Sequence, residues 1–188
     1  MIETLRHYDR LIFYFINQQC ASPVLDFLCP ILREKLTWAP LYVIIAFFFF
    51  KTYKRNIWVL LAFAGLTILL SDQISSSLIK PYFHRLRPCN SPALMASVRL
   101  VIAHCGNGYS FVSSHAANHF AIATFICAFV KNKRLYVPLL MLWAAAVSLS
   151  QVYVGVHYPI DVACGALLGI IIGYYTSIGA KKVMERFS

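Results

Sequence analysis

Near the end of the chain, in SQVYVGVHYPID, His157 stands four positions ahead of Asp161. Pro159 suits the first turn of a helix, so the spacing predicts His157 just before that helix and Asp161 inside its first turn. A carboxylate in reach of an imidazole nitrogen orients it as a nucleophile. Upstream, KPYFHRLRP supplies Lys80 and Arg87, with His84 and Arg85 in less defined positions. Two fixed cations can clamp an anion, and Arg87 offers a planar fork to phosphate oxygens; anchoring lipid headgroups is the other reading of the same cluster. In FVSSHAANHF, Ser113 and Ser114 fall where a helix cap is needed, and the free N–H groups of a helix start also suit a phosphate. His115 titrates near neutrality and is placed for general acid or base work. His119, one turn on, shares its face. No third ligand of suitable spacing accompanies that pair, so no metal or cofactor is expected, and His119 and Asn118 read as supporting or packing groups.

These residues need elements to carry them, and composition says which. The chain has 188 residues, is 60% hydrophobic and 15% aromatic, and its mean hydropathy is +0.66. That places it in the membrane class as an all-α integral membrane helical bundle. The net charge of +10 lies in short clusters between apolar runs rather than in a stripe on a soluble domain, which argues against nucleic acid.

Residues 1–35 mix apolar stretches with Arg6, Arg10, Asn17, Asp26 and Arg33, which are costly at mid-bilayer. Two interfacial amphipathic helices broken near Ala21 to Pro23 are expected there, with a poor extra span, six in all, as the alternative. Residues 36–188 then form the bundle. Five spans are expected, starting at WAPLYVIIAFFFF, Ile57 to Ile79, Ala116 to Val130, Leu135 to about Tyr153, and Val162 to Ile178. If they alternate, KTYKR, KNKR and KKVMER share one side, the cytoplasmic one by the positive-inside rule. The loop 81–114 and the His157 turn then meet on the opposite face. Cys89 and Cys105 both lie in that loop, where an oxidising compartment allows a disulfide; two free thiols are the alternative. Gly165, Gly169 and Gly173 form a small-residue stripe for close helix packing. Asp72, on one stripe with Ser76 and Lys80, should face the bundle interior, in a structural hydrogen bond or an ion pair with Lys80.

Taken together, these stretches resemble the type 2 phosphatidic acid phosphatase superfamily, whose three signatures occur in order over residues 80–161. Lys80, six residues, Arg87 and Pro88 match the first. Val112, Ser113, Ser114 and His115 stand for Pro-Ser-Gly-His. Ser150, Gln151, five residues, His157, three residues and Asp161 stand for the third, in which the family has Ser-Arg at the start. The resemblance implies a metal-independent phosphatase in which His157 attacks phosphorus to form a phosphohistidine, Asp161 orients His157, and His115 protonates the leaving oxygen. It also implies that Lys80, Arg87, Ser113 and the Ser114 backbone N–H hold the phosphate. Gln151 removes a charge and a bidentate fork but could donate one neutral hydrogen bond, with Arg85 or His84 as the compensating group.

The expected function is hydrolysis of a lipid phosphate or diphosphate at the outer face of a bacterial inner membrane. Undecaprenyl diphosphate is the leading substrate; phosphatidylglycerol phosphate, phosphatidic acid and a lipid A phosphate suit the same site. A phosphotransferase using the same histidine and a noncatalytic lipid-binding membrane protein are the competing classes. The partners are the lipid substrate and the surrounding membrane lipids, and the sequence does not address oligomeric state.

Overall fold

The computed structural model describes residues 2–186; Met1, Phe187 and Ser188, which belong to the two expected regions, lie outside the described residues. Among these the protein is all-helical. Helix α1 (Ile2–Tyr14) runs on through a π-helical turn, Phe15–Gln19, and stops at Cys20. After a short break the Ser22 hydroxyl accepts a hydrogen bond from the Leu25 N–H at 3.3 Å, and Pro23 fills the first position of α2 (Pro23–Arg33). Both features are standard ways to start a helix, and the break falls at the predicted place.

Three helical stretches are long and apolar enough to cross a membrane: Lys35–Asn90, Lys133–Tyr153 and Pro159–Arg186. The first is divided into α3 (Ala39–Tyr53) and α4 (Ile57–Gln73) at Lys54–Asn56, where Lys54 adopts a φ of 43°. Helix α4 continues through a π-helical segment, Ile74–Ile79, into α5 (Lys80–Phe83), which ends at His84 with φ 49°. Next come α6 (Ser114–Cys127), α7 (Lys133–Tyr153) and α8 (Pro159–Arg186). Helix α6 is shorter than the predicted Ala116 to Val130 because Ala128, Phe129 and Val130 turn back onto the carbonyls of Phe125 and Ile126.

The core lies between α4, α6 and α8, where Leu60, Ile122, Phe125, Ile126, Phe129 and Ala180 are buried together. Helix α8 approaches α6 along the glycine stripe. A Cβ at Gly169 would sit 2.2 Å from the Ala117 carbonyl oxygen, and one at Gly173 2.2 Å from that of Ala121. Without side chains there the two backbones touch directly.

The Tyr53 hydroxyl donates to the Phe129 carbonyl at 2.7 Å, and the Lys181 ammonium lies 5.7 Å from the Phe129 ring centre. The three basic clusters therefore gather at one end of the bundle. At the other end, Cys89 and Cys105 are disulfide-bonded with Cα atoms 5.9 Å apart, closing a segment of 16 positions.

The N-terminal helices dock on this second end. Asn17, fully buried, donates to the carbonyls of Arg99 (2.8 Å) and Tyr153 (2.7 Å) and accepts from the Arg99 N–H (3.0 Å). Asp26 accepts from the Tyr153 hydroxyl at 2.6 Å and pairs with Arg99. Polar residues that looked costly in a membrane are thus satisfied by the loop and the end of α7, since buried polar groups persist where they are hydrogen-bonded.

Candidate active site

Helix α8 begins as its sequence predicts. Pro159 opens it, His157 stands just ahead, and Asp161 is in its first turn. Both side chains are removed from solvent, His157 at 1% and Asp161 at 0% exposure. Imidazole Nδ1 and Asp161 Oδ2 are 3.6 Å apart, an ion-pair contact longer than a hydrogen bond. With Nδ1 turned toward the carboxylate, the opposite ring edge, bearing Nε2, is the one available to the cavity that His157 lines. Burial pushes the imidazole from its ordinary 6.5 down to about 4; Asp161 pulls it up, while Arg87 and Lys80 act in the same direction as burial. The ring is accordingly neutral at pH 7, the form in which an imidazole can serve as a nucleophile.

Asp161 is held by more than its histidine. Its Oδ2 accepts from the Tyr158 N–H at 2.9 Å, and its Oδ1 from Arg85 Nη1 at 2.6 Å. Arg85 Nη2 reaches on to Asp9 Oδ2 at 2.5 Å, and Asp9 Oδ1 accepts from the Ile160 N–H at 2.9 Å. The guanidinium also lies 3.9 Å from the Tyr158 ring centre, so an ordered chain Asp9–Arg85–Asp161–His157 crosses from α1 to α8. Arg85 is therefore occupied by two carboxylates and does not stand in for the arginine absent at position 151, which corrects the expectation from sequence. His84 is engaged as well, with its ring 4.7 Å from that of Tyr109. Asp9 is 5% exposed. Its only sequence signal is a second acid in a helix that also carries Glu3, Arg6 and Arg10, which does not mark it as part of a site.

A cavity of about 860 Å³ opens in front of His157. Lys80, Arg87, Ser114, His115, Asn118 and Asp72 line its polar end, and Tyr42, Ile45, Phe49, Ile68 and Phe125 continue it as an apolar channel between α3, α4 and α6. Lys80, Arg87, Ser114, His115 and His157 are thus brought together. Asp161 supports them from behind. Ser113 is fully buried, caps α6 by accepting from the Ala116 N–H at 3.4 Å, and gives its own N–H to the Asp161 carbonyl at 2.9 Å. Gln151 is fully buried, and neither of its side-chain polar atoms has a hydrogen-bond partner.

His119 bonds through Nδ1 to the His115 carbonyl at 2.9 Å and packs edge-on against Trp143 at 5.2 Å, a supporting position. Asp72 accepts from Asn118 Nδ2 at 3.1 Å, which is the structural hydrogen bond of the two readings it allowed. Lys35, a basic residue that the sequence did not single out, also lines this cavity.

A neutral imidazole with an acceptor behind it and an array of cations in front is suited to attack on a phosphate ester. Cations and helix N–H groups preorganised around developing charge lower the barrier to such a transfer. The comparisons with known proteins agree. The chain is 34% identical over 189 residues to a lipid A 4'-phosphatase of Bacteroides thetaiotaomicron, covering 99% of this chain and 83% of the relative. The crystal structure of Aquifex aeolicus LpxE superposes with a TM-score of 0.65 and 27% identity, over 88% of this chain and 92% of that one. A Bacillus subtilis PAP2-type phosphatidylglycerolphosphate phosphatase shares the fold, at a TM-score of 0.71 and 23% identity over 96% of this chain and 88% of its own. The family model for the PAP2 superfamily matches residues 56–185. The chain belongs to the PAP2 superfamily, and it is a phosphatase.

Proposed function

We propose that the protein removes the terminal phosphate from a membrane lipid, with a lipid A phosphate as the substrate. The observation that carries this reading is the shape of the cavity, cationic at His157 and apolar along α3, α4 and α6. A soluble phosphate ester needs only the first half of such a cavity; a lipid with its headgroup phosphate at the histidine fills both. The likeness to a lipid A 4'-phosphatase over nearly the whole chain supports the choice of lipid. Undecaprenyl diphosphate, the expectation from sequence, has an apolar tail that suits the same channel and is the competing substrate.

In the proposed reaction, Nε2 of neutral His157 attacks phosphorus. The bond between phosphorus and the lipid oxygen breaks, and His115 gives its proton to that oxygen. Water, deprotonated by His115, then attacks the phosphohistidine, releasing inorganic phosphate and restoring His157. Lys80 and Arg87 neutralise the phosphoryl oxygens throughout, and the Ser114 N–H at the start of α6 adds a donor. The proposal places this end of the bundle at the outer face of a bacterial inner membrane, with the basic clusters toward the cytoplasm and α1 and α2 in the interface.

The test is phosphate release in detergent from lipid A, phosphatidylglycerol phosphate, undecaprenyl diphosphate and a short-chain phosphate ester. Release from lipid A that disappears in His157→Ala is expected. Preference for undecaprenyl diphosphate over lipid A would replace the substrate, and release unaffected by His157→Ala would overturn the mechanism.

A further inference from the structure

Two of the helices that wall the cavity change character at the same level. Toward the His157 end the lining of α4 runs Ala64, Ile68, Asp72, and that of α6, read in the same direction, runs Phe125, Ile122, Asn118. Beyond this level stand Lys80, Arg87 and His115. Asp72 and Asn118 therefore form a polar layer between the apolar channel and the cationic end. They meet there directly, Asn118 Nδ2 donating to Asp72 Oδ1 at 3.1 Å. A rise of 1.5 Å per residue sets Asn118 about 4.5 Å along α6 from His115, close to the depth of a lipid head group whose phosphate sits at the histidines. The backbone at Asp72 is pinned as well: α4 widens into its π-helical segment two residues later, and the Ser75 and Ser76 hydroxyls donate to the Asp72 carbonyl at 3.2 and 2.5 Å.

The bond between the two side chains also settles how the amide faces. With its nitrogen turned to the carboxylate, its oxygen is the free end, and Asn118 Oδ1 is shielded from solvent without a hydrogen-bond partner. Asp72 belongs to none of the ion pairs among the described residues; those join Arg85 to Asp9 and Asp161, Arg99 to Asp26, and His157 to Asp161. A buried acceptor left unmade is costly, and so is a carboxylate placed beside a site for an anionic phosphate. A hydrogen-bond donor on the bound lipid removes the first cost and offsets the second. The phosphate itself cannot do this, because its ionised oxygens have no proton to give.

We infer that Asp72 and Asn118 are a specificity-determining pair, selecting lipid phosphates whose head group carries a hydroxyl or amide N–H next to the phosphate. The inference rests on the proposed phosphatase site and narrows its substrate class. Sugar and glycerol heads bring such donors to this depth. A prenyl chain brings only C–H groups, and a prenyl diphosphate would set its second, anionic phosphate against Asp72. A site that hydrogen-bonds a substrate hydroxyl rejects the analogue without it, since its own buried polar groups are then left unpaired.

The experiment uses a matched pair of probes, a monoacylglycerol phosphate and its deoxy analogue, in which the free glycerol hydroxyl is replaced by hydrogen. With each lipid in detergent, kcat/KM for phosphate release and the rise in melting temperature are measured for wild type, Asp72→Asn, Asp72→Glu and Asn118→Ala. Wild type should favour the hydroxyl-bearing lipid by about 10- to 100-fold in kcat/KM, the range for one hydrogen bond to a charged group. The ratio should fall close to one in Asp72→Asn, fall in Asn118→Ala, and survive in part in Asp72→Glu, which keeps the carboxylate. Because each variant is compared with itself across two lipids, a general loss of folding or activity cancels. A wild-type ratio near one overturns the inference. So does an unchanged ratio in Asp72→Asn or Asn118→Ala, including an equal loss on both lipids, since the residue would then be structural. If wild type releases phosphate from no lipid at all, the proposed function fails and the melting shifts decide alone: a larger shift with the hydroxyl-bearing lipid that disappears in Asp72→Asn upholds the pair, and equal shifts remove it.

Discussion

Gly165→Ala adds a single methyl where α8 meets the start of α6. The new Cβ would lie 2.5 Å from the Ser113 carbonyl oxygen and 3.2 Å from the Ala116 Cβ. An unstrained carbon–oxygen contact is about 3.3 Å, so the helices must separate by roughly 0.8 Å, and the obstacle is backbone that cannot rotate away. Overpacking of this kind costs about 1–3 kcal/mol. The effect on catalysis should be larger, because the clash lies between the two pieces of the proposed active site. Ser113 precedes Ser114 and His115, and its N–H is bonded to the Asp161 carbonyl at 2.9 Å. A displacement near 1 Å at reacting groups costs on the order of 100-fold, so kcat for lipid phosphate release should drop about 10- to 100-fold while the melting temperature falls. Gly65→Ala is the control for helix propensity: its Cβ meets nothing within 4 Å, and the alanine should stabilise α4 by up to about 1 kcal/mol. Gly165→Ala with wild-type kcat and an unchanged melting temperature would refute the claim that direct contact of α6 and α8 sets the geometry of His115 and His157.

Arg85→Ala removes the cation between Asp9 and Asp161 and leaves both carboxylates buried; breaking such a pair costs about 3–5 kcal/mol, so a marked loss of thermal stability and of kcat is expected, whereas Asp9→Asn should be milder in both assays. With His157 held at about 4, the acid limb of kcat/KM set by this proposed nucleophile should fall near pH 4 rather than near 6.5, and a limb at 6.5 would contradict the burial of the ring. The same depression means the unfolded chain binds a proton that the folded chain refuses. The contribution of His157 to stability is therefore complete above pH 6.5 and declines as pH falls toward 4, which melting curves across that window will show. Reduction of Cys89–Cys105, or replacement of both by serine, should cost roughly 3 kcal/mol for a loop of this size, read as a lower melting temperature.

Much of this site was legible in the chain because its chemistry is local. His157, Pro159 and Asp161 form one turn, and Ser113, Ser114 and His115 form another; helix-start rules suffice for both. The break before Pro23 and the glycine stripe were visible for the same reason, since capping and small-residue spacing are short-range signals. Arg85 was read as one of two groups that could stand in for the missing arginine because its carboxylates lie 76 positions away on either side, and no periodicity links such groups. Asp9 went unassigned because a charge in an amphipathic helix has the same signature whether it meets water or a buried site. Only the docking of α1 and α2 distinguishes the two cases.

That docking also has a bearing on how the protein is made. Asn17 is joined to residues 82 and 136 positions later, and Asp9 to one 151 positions later. Helices α1 and α2 leave the ribosome ahead of their partners at Arg99, Tyr153 and Ile160, so these contacts close only once the start of α8 has been made. Until then Asp9 has no Ile160 N–H to accept from. A nascent chain that has not reached α8 would contain KTYKR, KNKR, the disulfide loop and most of the helices while remaining unable to cut phosphate from lipid. Activity therefore waits for α8, with the earlier-made α1 and α2 acting as the final fastening.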